Sequence, residues 1–431
     1  LVNSFNLNTE IFYVFSLFDI IKQTLFKNLG GIMFKEQEYK VLYKRIIFTC
    51  FILVIYIFGS HISIVSSNSF HSGNDSFFKL AISNVGGDLT NLNIFSLGLG
   101  PWLTSLILIM LLNYRNIDKI TKQTRAEKHY KERILTLLFA GFQSYYVINT
   151  YINNNFIKDN NIILLMLTLI TGAMLLVWLA DQNITYGIAG PMPIVLISLI
   201  KSLFNNQHFE SIHINSLLII LTIIALIIAL LLLLFIELTE YRLSYRDIMN
   251  NANKKSPTYL AWKLNPAGSI SIMMSLSVFV LLNNLIHLIG AIFGRHLNLY
   301  FLSFSNPIGI TSYFVIQIIL NYVLSRFLIN TKRKADEFLK NGNYFDTIYP
   351  GKDTERFLNR KARKVCWIGA IIVALILAFP MYLTLLAPGF SKEIYFSVQL
   401  IILVYISINI GETIRTYLYF DRYKEILNKY W

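Results

Sequence analysis

The residues that could do chemistry in this chain are few, and their placement argues against catalysis. His287 is the only histidine near the middle of an apolar stretch, and no catalytic set accompanies it, which leaves it a core histidine. No Gly-x-x-x-x-Gly-Lys-Ser/Thr loop is present to cradle a nucleotide. Cys50 and Cys366 both fall within apolar stretches. They are too few for a disulfide framework or a metal site and read as buried free thiols. What remains is a chemistry of passage, and it centres on Asn93 to Leu112. The apolar run Leu97 to Leu112 would be roughly 24 Å long as a helix, short of a hydrocarbon core of about 30 Å. Gly98, Gly100 and Pro101 break its start, and Asn74 to Asn93 just before it is half polar, with Gly86-Gly87 in the middle. Irregular backbone at membrane depth survives only where protein buries it or where it lines a wet cavity.

The elements that must position this segment are apolar helices. The 431 residues are 55% hydrophobic and 14% charged, the composition of a polytopic membrane protein. Ten spans are expected, at about 46–64, 97–112, 134–151, 162–180, 187–204, 214–236, 266–289, 307–329, 365–386 and 395–414. Pro380 lies within the ninth, where neighbouring helices can satisfy the freed carbonyl. The net charge of +14 does not point to nucleic acid, because of where it sits. With the N-terminus inside, inner segments carry 32 of the Lys and Arg residues and outer loops carry five. That asymmetry places both termini in the cytoplasm. Phe5 to Leu29 is aromatic and amphipathic, unlike a cleavable signal, and is expected to lie along the inner surface.

Five spans precede residue 205 and five follow it, so the halves enter the membrane from opposite sides. The second span of each half opens with the same chemistry, Gly98-Leu-Gly-Pro101 and Asn265-Pro-Ala-Gly268. Gly187-Ile-Ala-Gly-Pro-Met-Pro193 breaks the start of the fifth. Matching broken segments in inverted halves mark a central pathway. The expected organisation is an N-terminal cytoplasmic segment (1–45), a first five-helix half (46–205), a second (206–416) and a cytoplasmic tail (417–431). Two inner loops, 237–263 and 331–364, are long and basic enough to dock a partner by charge.

These motifs resemble SecY, the central subunit of the protein-conducting channel. Its Ile-Phe-x-Leu-Gly-x-x-Pro pattern is matched by Ile94 to Pro101. Further matches are Trp178 to Thr185, Thr258 to Gly268, and Ala335 to Gly342 with Pro350 to Thr354, with order and spacing kept from about residue 22 to 428. There are departures from the usual pattern. Tyr349 replaces an Arg before the Pro-Gly, Met110 a Gln in span two, Ser271 a Pro in span seven, and Ala189-Gly190-Pro191 a Gly-Asn-Gly. Such drift is similar to the accessory SecY of Gram-positive bacteria, which exports serine-rich glycosylated adhesins.

The resemblance implies a fold, site residues and partners. The fold is all-α, with ten transmembrane helices in two inverted five-helix halves. The family's pore ring falls on Leu99, Leu103, Met192, Leu196, Met273 and Ile402, all aliphatic or Met, as a dewetting seal requires. Its plug falls near 77–91, on Phe77, Phe78, Leu80, Ile82, Gly86 and Gly87. Its lateral gate falls on Thr104, Leu106 and Met110, opposed by Met274, Ser275 and Leu276. Motor docking falls on Arg242, Arg246, Lys254, Lys255, Tyr349, Lys352 and Arg356. The implied partners are an accessory SecA-type ATPase motor, small SecE- or SecG-like subunits, other accessory Sec proteins, an unfolded secreted polypeptide and membrane lipid. No cofactor, metal or nucleic acid is implied, and the channel itself is not an enzyme. Two alternatives stay open: a housekeeping SecY, and a secondary transporter or flippase built on inverted repeats. Against the latter, Asp181 and Glu237 stand at span ends and no acid lies mid-span to carry a coupling ion.

Overall fold

The computed structural model describes residues 40–64, 81–87, 92–113, 124–153, 162–205, 216–247, 258–292, 306–386 and 391–428. The expected inner-surface segment Phe5 to Leu29 lies outside them. In chain order the helices of the first half are α1 (Lys40–His61), α2 (Gly100–Asn113), α3 (Arg125–Asn153), α4 (Ile162–Tyr186) and α5 (Met192–Asn205). The second half holds α6 (Ser216–Leu238), strands β1 (Glu240–Ser244) and β2 (Tyr259–Lys263), α7 (Gly268–Ile292), α8 (Pro307–Ile329), α9 (Thr331–Asn341), α10 (Lys352–Leu386) and α11 (Ser391–Asn428). Every expected span falls on one of these helices in the expected order. By length and composition six are apolar enough to cross a membrane alone, and α2, α5 and the described part of α6 are shorter apolar helices.

The helix boundaries follow from local chemistry. Pro101 occupies the first turn of α2, where its missing N–H leaves no intrahelical bond unmade. Asn330, in the left-handed region at φ 39°, ends α8 by donating its N–H to the Arg326 carbonyl. The same residue opens α9, its side chain accepting from the Arg333 N–H. Short α9 buries Thr331, Ala335 and Phe338, one face of an amphipathic helix.

Packing repeats between the halves. In the first, α1 packs on α4 and α5, α2 on α3, and α3 on α4. In the second, α6 packs on α10 and α11, α7 on α8, and α8 on α10. The helices that correspond across the halves meet along two seams, α2 against α7 and α5 against α11. One apolar core runs through both seams, from Leu99 and Ile194 to Met273 and Ile402. Outward faces are apolar as well: Phe58 on α1, Ile163 on α4, Phe235 on α6 and Phe379 on α10 are exposed, as lipid contact requires. Cys50 also faces outward, contrary to the buried thiol expected, because it lies on this face of α1; Cys366 is buried.

The described parts of the two long loops are structured. Strands β1 and β2 pair antiparallel, Glu240 opposite Lys263 and Ser244 opposite Tyr259. The 331–364 segment is mostly helical, comprising α9 and the start of α10. A second core joins them through Leu243, Trp262, Phe338, Phe345, Leu358 and Cys366. Arg246 and Tyr344 exchange backbone hydrogen bonds of 2.9 and 3.0 Å.

Candidate functional site

The six residues expected to form the ring come together in one apolar cluster. Leu99, Leu103, Met273 and Ile402 are buried within it, and Met192 and Leu196 pack against it from α5. Three breaks in regular backbone aim these helices. Gly98 (φ 59°) precedes α2, Gly268 (φ 51°) opens α7, and Ala189 (φ 58°) with Gly190 (φ 56°) precedes α5. Left-handed backbone is cheap for glycine and costly for most other residues, so two glycines standing at equivalent places is a structural requirement. Asn183 at the end of α4 holds the break before α5. Its amide donates to the carbonyls of Ile188 (3.0 Å) and Gly190 (2.6 Å). Its oxygen accepts from the Thr49 hydroxyl at 3.0 Å, and Thr49 also accepts from the Ile188 N–H at 2.9 Å. Arg45 adds a bond to the Gly187 carbonyl at 2.9 Å.

Of the segment expected to form the plug, residues 81–87 are described, and they make a tight turn seated on this apolar cluster. The Leu99 N–H donates to the Val85 carbonyl at 2.8 Å. Tyr56 from α1 donates to the Gly86 carbonyl (3.0 Å) and Ser198 from α5 to the Gly87 carbonyl (2.8 Å). Gln399 of α11 reaches Ser83 at 3.3 Å. The approach is backbone on backbone: a Cβ on Gly98 would lie 2.4 Å from the Gly87 nitrogen and 2.7 Å from the Val85 oxygen. Gly86 faces Ile194, Val195 and Leu99. Ile82 packs in a satellite cluster with Leu97 and Val147. Asn84 is fully buried, and neither atom of its amide has a partner among the described residues. Phe77, Phe78 and Leu80 lie outside the described residues.

The expected gate residues line the α2–α7 seam or pack beside it. Thr104, Met274, Ser275 and Leu276 are buried, while Leu106 and Met110 pack on the central core. Thr104 donates to the Pro101 carbonyl (2.9 Å) and Ser275 to the Ile272 carbonyl (2.9 Å), both within their own helix, and Ser275 also meets the Tyr313 hydroxyl of α8 at 3.5 Å. A direct polar tie across the seam is one that sequence reasoning missed: Ser277 donates to the Gly100 carbonyl at 2.8 Å. Beside it a small cavity is lined by Ala81, Ile82, Val85, Gln143, Ser277 and Asn284, where plug, α3 and α7 meet. Amides buried in apolar spans were the available signal for Gln143 and Asn284. The side chain of His287 lies outside the described ones.

The docking candidates lie on the joined loops. Arg242 pairs with Glu240 (3.3 Å) and stacks over Tyr259, and Arg246 pairs with Asp346 (2.7 Å). Tyr349 stands 80% exposed at a tip held by the Thr354 hydroxyl, which donates to the Tyr349 carbonyl at 3.0 Å. Two residues before it, Thr347 adopts φ 68°, a strained value for a β-branched residue. Lys352 and Arg356 are exposed close by, and Lys254 and Lys255 lie outside the described residues.

A sequence model of the SecY family matches residues 93–410. The chain belongs to the SecY family. It is 75% identical over 399 residues to the accessory Sec system protein translocase subunit SecY2 of Staphylococcus haemolyticus, covering 93% of this chain and all of that one. It is 60% identical to the subunit of that name from Staphylococcus epidermidis, over 93% of this chain and 100% of the relative. Among solved structures, one described as a protein conducting channel superposes with a TM-score of 0.63 at 15% identity, over 88% of this chain and 93% of that one. That likeness concerns the fold alone. Membership of the SecY family removes the secondary-transporter reading of the inverted halves.

Proposed function

We propose that this SecY-family protein is the channel subunit of an accessory Sec translocase, passing unfolded serine-rich glycosylated adhesins through the cytoplasmic membrane. The observation that carries the reading is full-length similarity to subunits of that name, combined with six aliphatic or Met side chains gathered where the two halves cross. A narrow apolar waist dewets and holds back ions unless a chain fills it. The 81–87 turn is the closed stopper, and the α2–α7 seam is the lateral exit. Ten Leu-like residues of a signal favour lipid by about 5 kcal/mol, and one central charge returns about 3, so the exit sorts segments by exposing them to lipid. In this reading all ten long helices span the membrane with both termini inside. The joined β1–β2 and α9–α10 loops then face the cytoplasm, where a SecA-type ATPase supplies the work. Full-length similarity to accessory subunits favours that role over the housekeeping one.

The test is a stalled export cargo crosslinked in a strain carrying photoreactive side chains at Leu103 or Met273, with the secreted proteins compared after depletion. Crosslinks at both positions and loss of one serine-rich adhesin are expected. Absence of crosslinks would overturn the channel reading, and broad secretion loss would overturn the accessory one.

A further inference from the structure

Glu237, at the end of α6, keeps only 1% of its side chain exposed. A lone buried carboxylate is costly, and this one is paired on both oxygens. Lys263, the last residue of β2, reaches one oxygen at 3.0 Å and also pairs with Glu412 on α11. Burial alone would draw the Lys263 ammonium down; Glu412 and Glu237 outweigh it and hold it above its ordinary value. The Tyr405 hydroxyl, from α11, donates to the other Glu237 oxygen at 2.8 Å and accepts from the Asn265 amide at 2.8 Å. One turn further along α11, Asn409 donates to Ser269 of α7 at 2.9 Å. The Leu264 N–H donates to the Thr239 carbonyl at 3.1 Å, tying the end of α6 to the start of the α7 entry. The network thus sits at the root of the β1–β2 hairpin. It joins α6, α7 and α11, and Tyr405 lies one helical turn from the ring residue Ile402.

We infer that Glu237, Lys263 and Tyr405 are positioning residues of the waist: they lock the hairpin root to α11 beside Ile402, and a protein engaging the hairpin opens the channel by breaking that lock. The inference rests on the channel reading. The hairpin is a stiff arm, because its Leu243 and Trp262 are packed into the core shared with Phe338, Phe345 and Leu358. A displacement applied to that arm arrives at Lys263. It has to separate Lys263 from Glu237 or Glu412, or else drag α11 with it. Dragging shifts the helix that carries Ile402 relative to α7, which carries Met273, and separation releases that helix to shift.

The experiment replaces the chromosomal copy with Tyr405→Phe, Lys263→Met or Lys263→Arg. It reads three quantities: protein in the membrane, halide permeability without cargo, and export of cargo bearing an intact or a shortened signal. Tyr405→Phe and Lys263→Met are expected to raise cargo-free permeability about tenfold, the scale of losing one hydrogen bond to a charged group, and to export the shortened-signal cargo. Lys263→Arg keeps the charge and is expected to behave as the wild type. Variants present at wild-type amounts with unchanged permeability and signal requirement would overturn the lock. So would loss of both Tyr405→Phe and Lys263→Met from the membrane, since the network would then hold the fold rather than the waist. If the wild type itself fails to export cargo, the channel reading fails instead, and the permeability comparison still scores the lock.

Discussion

The Ser277 hydroxyl on α7 donates a 2.8 Å hydrogen bond to the Gly100 carbonyl on α2, joining the inverted halves across 177 residues of sequence. Replacing Ser277 with Ala removes that bond and little else. A buried hydrogen bond contributes about 1 kcal/mol net, or about fivefold in an equilibrium. Ser277→Ala is expected to loosen the seam and speed export of cargo with weakly apolar signals, measured by pulse-chase. Met110→Gln tests a departure from the family pattern on this seam, with a changed signal preference between cognate and general cargo expected.

Gly98→Ala should break the seating of the stopper. The new Cβ would stand 2.4 Å from the Gly87 nitrogen, and the residue would be held at φ 59°. Left-handed backbone costs an L-residue about 1–2 kcal/mol before any clash is counted. A raised halide leak with retained export is the expected outcome, read in inverted vesicles.

Asn84→Leu should do the reverse. Its amide is buried without partners, which costs roughly 1–3 kcal/mol in the closed state. An apolar side chain of similar size removes that penalty and deepens the closed well. Slower cargo export at unchanged protein levels, measured as the half-time of secretion, is expected.

Tyr349→Ala removes an 80% exposed ring from the loop tip and leaves the Thr354 bond to its backbone carbonyl in place. Stability should stay within about 0.5 kcal/mol of wild type, as for most surface substitutions. Export should fall severalfold if the tip anchors the motor, which co-purification with the ATPase would check.

Apolar runs and Gly/Pro breaks made the helix order readable from sequence, since both signals are local. The ring residues came from resemblance, and any of them would have been aliphatic by composition, so only packing could bring Leu99, Met273 and Ile402 together. The Ser277 bond was illegible because a hydroxyl within a span reads as a helix-internal donor, as Thr104 proves to be. Glu237 read as a charge at a span end; its partner Tyr405 lies 168 residues away. Alternation in Glu240 to Ser244, with Leu243 inward, was the overlooked sign that the basic loop is a hairpin.

Gly87 and Gly98 let one stretch of main chain rest directly on another. A turn seated in this way has no room for an added atom at that contact, whatever its own buried side chains contribute. Paralogues that part company over cargo are therefore expected to keep the two residues there that have no side chain.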